Sequence, residues 1–144
     1  MAQIASIKSG AGSQGHFSNA LTAIFIACGQ DVACVPESAA GYSRAAVTDD
    51  EDLYASVTLS NLVVGTVGGG TTLPAQRKYL DSMGCSGPGS ARKLAEICAA
   101  VVLAGEISIA AALAANHFTR AHLHYGRKKR KSGHEDEKFT GIAL

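Results

Sequence analysis

Asp31 closes the stretch HFSNALTAIFIACGQD, one carboxylate set just past the end of an apolar helix. A carboxylate so placed can steady a neighbouring cation or tune a neighbouring acid; its plainer reading is a polar residue in a C-terminal turn. His16 and Asn19 open the same stretch, three apart and therefore on one helical face, where they could contact a ligand or simply cap the helix. His117, His122 and His124 cluster further on. Zinc-binding histidine pairs on a helix are usually four apart, whereas His117 and His122 are five apart, roughly 140° around an α-helix. No metal site is expected. A lone imidazole can serve as general acid or base, or stand as a solvated helix end.

The glycines raise a different possibility. In NLVVGTVGGGTTLPAQRKYL an apolar run meets Gly65, Gly68, Gly69 and Gly70, and Pro74 follows at what should be the first turn of a helix. A glycine turn feeding a helix N-terminus offers backbone N–H groups and a helix dipole to an anion such as phosphate. Known fingerprints fit poorly: there is no Gly-Lys-Ser/Thr pair, and Leu73 stands where the third glycine of G-x-G-x-x-G belongs. A tight turn without a ligand explains the glycines as well, and both readings stay open on the residues alone.

The elements around these residues must bury enough apolar surface to hold them. The 144 residues suit one domain, and 47% hydrophobic content supports a core. With no Trp and 6% aromatic residues, that core is built from Ala, Val, Ile and Leu. The net charge of +1 gives no general attraction to nucleic acid or to a membrane. Cys28, Cys34, Cys85 and Cys98 form no Cys-x-x-Cys pair and read as reduced thiols in a cytoplasmic protein, with a disulfide the less favoured reading. No signal-peptide h-region opens the chain. Ile97 to Ala115 is about as long as a membrane span, but it carries Glu106 and Ser108 near its middle, so a buried helix is expected. Glu106 must find a partner or become protonated; a structural hydrogen bond is the favoured reading.

Periodicity orders the rest. The stretch from Phe17 to Cys28 is apolar on nearly all sides and should be buried all round, with Gly29 as its stop. YSRAAV and LYASVTL read as strands joined by the acidic turn TDDED, and LVVGTV as a third, fully apolar strand. AQRKYLDSMG reads as a helix, and Ser90 as the N-cap of a long helix that runs to about His117, kinks and continues through FTRAHLHYG. The expected fold class is α+β: a buried central helix, antiparallel strands and a long Ala-rich C-terminal helix. Residues 1–15 are expected to be irregular, 16–127 to form the domain, and 128–144 to be a flexible charged tail. The basic run Arg127 to Lys131 could contact nucleic acid, but no aromatic residues interleave with it and a solvated tail is preferred.

GTVGGGTTLPAQ, YLDSMGCSGPG and ARKLAEICAAVVLAGEISIAAALAANHFTRAH, with HFSNALTAIFIACGQD and EDLYASVTLSNLVVGTVGGG upstream, resemble the C-terminal part of the catalytic domain of hydroxymethylglutaryl-coenzyme A reductases. The resemblance runs from about His16 to Arg127, and GTVGGGT resembles the class that uses NADPH. It implies reduction of a thioester to mevalonate by two hydride transfers, with release of coenzyme A. It implies that Asp31 and His122 are catalytic, His122 protonating the departing thiolate. It implies that Gly68, Gly69, Gly70 and Gln30 contact NADPH, that Asn19 and His16 contact substrate, and that Ile109, Ala112 and Leu113 form an apolar wall near the acyl group. It further implies a homodimer or larger homo-oligomer assembled through the active site, without nucleic acid or membrane partners. The family's catalytic lysine, its Glu-Asn-Val-Ile-Gly-like motif, its Asp-Ala-Met-Gly-Met-Asn loop and its small NADP-binding subdomain have no counterpart in these residues, and the isolated chain is expected to be inactive.

Overall fold

Helix α1, Phe17–Cys28, is the centre of the molecule in the computed structural model, which describes residues 15–126. The expected N-terminal irregular segment, apart from Gly15, and the basic run with its tail lie outside the described residues. Phe17, Ala20, Leu21, Phe25 and Cys28 of α1 are buried. A fully buried Leu or Phe side chain contributes roughly 1.5–3 kcal/mol, so this stripe anchors the fold. The helix is not buried all round: Ile26 is 59% exposed and Ala23 is exposed. Only the faces that meet other elements are covered.

A 3-10 turn, Val32–Cys34, and a short helix α2, Val35–Ser38, lead into an antiparallel hairpin. Strand β1, Gly41–Val47, pairs with β2, Leu53–Leu59, from Gly41↔Leu59 to Val47↔Leu53. The acidic turn between them is closed by Thr48 N–H to Asp52 C=O at 2.8 Å and Glu51 N–H to Thr48 C=O at 3.0 Å.

The third strand does not form. Residues 62–65 have no strand partner, and the sheet of the described residues has two strands. Buried backbone groups must still be bonded, and side chains take the place of a neighbouring strand. Val63 N–H donates to the buried Ser38 Oγ at 3.1 Å, and both backbone groups of Gly65 are taken by Gln30.

A 3-10 turn, Gly69–Thr72, then opens helix α3, Pro74–Ser82, with Pro74 in its first turn. Helix α4, Ala91–Ala114, packs Leu94, Cys98 and Val102, successive i, i+4 positions, into the core against α1. Ser90 precedes α4 but makes no capping bond; its hydroxyl donates to Ser86 C=O at 3.2 Å instead. The chain breaks at Asn116, whose φ of 55° is left-handed, and resumes as α5, His117–Gly126.

The expectation of a buried C-terminal helix holds for one stripe only. Helix α4 is long and apolar enough to cross a membrane, with mean hydropathy 2.2 over a window of which 11% is buried. Its middle is nevertheless tied into this fold. Glu106 Oε1 accepts the backbone N–H groups of Gly15 at 2.9 Å and His16 at 2.5 Å, capping α1, whose own N-cap residue supplies no side-chain bond.

Candidate active site

The C-terminal end of α1 opens on a cleft of ≈ 510 Å³ lined by Gln30, Asp31, Gly68, Gly69, Gly70 and Gln76, among others. Gly29 ends the helix in the left-handed region, φ 66°. Its backbone lies directly against Gly70: a Cβ on Gly29 would stand 2.3 Å from the Gly70 carbonyl. The helix end and the glycine elbow can be neighbours only because both residues lack side chains.

Past that contact, Asp31 is exposed and its Oδ1 accepts Ala33 N–H at 2.9 Å, capping the 3-10 turn. Across the cleft, Gly68 (φ 75°, ψ −179°) and Gly69 (φ 54°) form the elbow. A Cβ at either would meet nothing within 4 Å, so both face open space. Their carbonyls accept the Thr71 and Thr72 hydroxyls at 2.6 and 2.9 Å, which fixes the turn from behind. Cys34 also lines the cleft; its bond to Glu37 raises its thiol above the usual range, which keeps it protonated near neutral pH.

The other site candidates lie elsewhere. His16 is half-buried at the opposite end of α1, which a helix of 12 residues places about 18 Å away from the cleft. Its ring packs over Gly105 of α4, where a Cβ would stand 1.8 Å from Cδ2. Ile109 and Leu113 line a second, apolar cavity of ≈ 740 Å³ between α4 and the hairpin, together with Glu106 and Arg44. Ala112 is half-buried beside it, and Asn19 is exposed on α1. His122 is exposed on α5, which packs against α4. Its Nδ1 lies 2.9 Å from the Phe118 carbonyl. A carbonyl only accepts, so this contact places a proton on Nδ1 and leaves Nε2 for chemistry. The Phe118 ring packs on the imidazole with centroids 4.3 Å apart.

One chain therefore brings Gln30, Asp31 and the three glycines together, brings His16, Ile109 and Leu113 around Glu106, and leaves His122 outside both cavities. Gln76 and Ser38 escaped the sequence reading. A polar residue in the first turn after the elbow was the available signal for Gln76; Ser38 carried none. Among the described residues no group of three or more His, Cys, Asp and Glu is placed to hold a metal ion.

The fold and cleft define an α+β chain in which a carboxylate past a helix end faces a glycine elbow at the start of another helix. The model of the hydroxymethylglutaryl-coenzyme A reductase family matches residues 1–127, and the chain belongs to that family. It is 52% identical over 125 residues to the 3-hydroxy-3-methylglutaryl-coenzyme A reductase of Pyrococcus horikoshii, covering 81% of this chain and 30% of that protein. With the enzyme of the same name from Aeropyrum pernix it shares 56% identity over 117 residues, 78% of this chain and 28% of the relative. With that of Methanocaldococcus jannaschii it shares 47% over 121 residues, 84% and 30%. The chain thus spans about 30% of the length of the curated relatives it matches.

Proposed function

We propose that this chain supplies the Asp31, His122 and glycine-elbow portion of a cytoplasmic reductase of isoprenoid biosynthesis. The reaction takes the hydroxymethylglutaryl-coenzyme A thioester to mevalonate and free coenzyme A at the expense of two NADPH. The observation that carries the reading is the Gly29–Gly70 contact, which sets Asp31 and the elbow on one cleft. The cleft volume lies in the range of cofactor pockets, and the open space at Gly68 and Gly69 allows backbone to approach a pyrophosphate.

NADPH, when bound, supplies the hydrides. The backbone of Gly68, Gly69 and Gly70 would hold it at its phosphates. Asp31 places negative charge beside the reacting carbonyl, where it stabilises a cation or holds a proton donor in its charged form. His122, doubly protonated with its Nδ1–H held by the Phe118 carbonyl, would deliver the Nε2 proton to the departing thiolate and be left as the neutral Nδ1–H imidazole. His16, Asn19, Ile109, Ala112 and Leu113 lie away from the Asp31 cleft of their own chain, so their contacts with the acyl group would come from a second copy. His122 stands outside the Asp31 cleft of its own chain, which supports a constellation completed by α5 of a second copy in a homodimer or larger assembly. The Glu106 bonds that hold α4 on α1 favour its role as a packing helix of a soluble fold.

NADPH fluorescence titration of the purified chain tests the cofactor half: saturable binding weakened tenfold by Gly69→Asp supports it, and no binding at millimolar NADPH sinks it. The exposed flank of α4 favours a second reading, an inactive remnant or one half of a split reductase that acts as an assembly partner of a chain carrying the family's lysine and glutamate motifs. NADPH oxidation with the thioester separates these. Turnover only after adding a chain that carries those motifs identifies the split enzyme, no turnover in the mixture identifies the remnant, and turnover by the chain alone overturns the expected inactivity.

A further inference from the structure

Gln30 sits between the left-handed Gly29 and Asp31, and its amide is occupied. Nε2 donates to the Gly65 carbonyl at 2.9 Å and to the Cys28 carbonyl at 3.0 Å, while Oε1 accepts Gly65 N–H at 2.8 Å. A primary amide has two donors and one acceptor oxygen; here both donors and one lone pair are used. Gly65 is bound at both backbone groups by one side chain, as an adjacent strand would bind it. That is why the segment before the elbow is ordered without strand pairing. Gly65 enters the elbow and Gly70 leaves it. The first is held by Gln30 and the second by Gly29, the two residues immediately before Asp31.

We propose that Gln30 is a positioning residue. Acting through the backbone of Gly65, it holds the glycine elbow in register with Asp31 rather than touching the cofactor. What the elbow holds rests on the reading above; the clamp itself does not. The residue type follows from the geometry. Glutamate would set a second acceptor against the Gly65 and Cys28 carbonyls, methionine would fill the space without bonding, and asparagine falls one methylene short.

The test uses the whole chain and NADPH as probe. In Gln30→Met, with helicity unchanged by circular dichroism, the amide resonances of Gly65, Gly68, Gly69 and Gly70 should all move, and the dissociation constant for NADPH should rise about tenfold, the effect of losing one to two net hydrogen bonds. Gln30→Asn, one methylene short of Gly65, should behave like Gln30→Met in both. Shifts confined to the sequence neighbours of Gln30 would overturn the proposal; shifts at the elbow with unchanged NADPH affinity would uphold the clamp and count against the cofactor reading alone. If wild-type chain binds no NADPH, the cofactor reading fails by itself, and the clamp is judged on the spectra. Should the Met variant not fold, wild-type exchange decides: Gln30 side-chain amide protons exchanging as fast as those of Gln76 would refute the clamp.

Discussion

Gly29 and Gly70 touch backbone to backbone. A Cβ on Gly29 would stand 2.3 Å from the Gly70 carbonyl carbon and oxygen, and one on Gly70 would stand 2.6 Å from the Gly29 carbonyl oxygen. Two segments distant in sequence, a helix end and a glycine elbow, are joined there with no side chain between them. The consequence is a difference among glycines. Gly29→Ala incurs left-handed strain of roughly 1–2 kcal/mol and an overlap of roughly 1–3 kcal/mol. Gly69→Ala incurs the strain alone, since its Cβ would meet open space. Urea unfolding should show Gly29→Ala losing roughly 1–3 kcal/mol more than Gly69→Ala. Equal losses would mean that the backbones are not in contact.

His16 and Gly105 make a second close approach, between a ring and a helix. Alanine in a helix interior is favoured over glycine by about 1 kcal/mol, but at position 105 the new Cβ would stand 1.8 Å from His16 Cδ2. Gly105→Ala should therefore be neutral or destabilising in the wild-type background and stabilising by about 0.5–1 kcal/mol in a His16→Ala background. A double-mutant cycle measures the coupling; additive effects would remove the contact.

Glu106 shows what could be read from the chain and what could not. A carboxylate in the middle of an apolar helix had to find a donor, and that much was legible. Its donors, the N–H groups of Gly15 and His16, lie some 90 residues away, and nothing local names them. The hairpin, the Pro74 start and the break near His117 were legible because each is set by local periodicity or backbone chemistry. LVVGTV misled for the same reason. Its composition is that of a strand, but strand formation needs a neighbour, and Ser38 and Gln30 side chains stand in for one. Of the site, the Asp31 and glycine positions carry signals in their own neighbourhoods, whereas the clamp that joins them is purely tertiary. Truncating the capping carboxylate tests its role: Glu106→Ala should cost roughly 1–3 kcal/mol in chemical unfolding, since two donors lose a charged acceptor, and Glu106→Gln less. No change for either variant would leave α1 without its cap.

The cysteines differ by environment. Cys98 is fully buried and burial pushes its thiol up to about 12; Cys28 is buried and also raised. Cys34 alone of the four is partly exposed. Maleimide at neutral pH should label Cys34 first, with Cys28, Cys85 and Cys98 reacting only on unfolding, as peptide mass spectrometry would show. Glu37→Gln should speed the Cys34 reaction, because the Glu37 bond holds the thiol protonated. Rapid native labelling of Cys98 would contradict the packing of α4 on α1.

Asp81 links the end of α3 to the loop before α4. Its carboxylate accepts the Ser86 hydroxyl, and Arg77 Nε lies 3.1 Å from the same oxygen. The Ser86 hydroxyl first, and the Arg77 guanidinium after it, hold Asp81 below its ordinary value of 3.8. A carboxylate whose pKa is lower folded than unfolded adds stability above the unfolded value and loses it as pH falls through the folded value. The group is exposed, so solvent screens the effect and it should be small. Asp81→Asn should therefore melt below wild type at pH 7, with the gap closing as the pH drops below 3.8. Ser86→Ala should narrow the gap in the same window by raising the Asp81 pKa toward its unfolded value. A gap between wild type and Asp81→Asn that is constant from pH 7 to the acid limit would show that the side-chain amide, and not the charge, accounts for the difference.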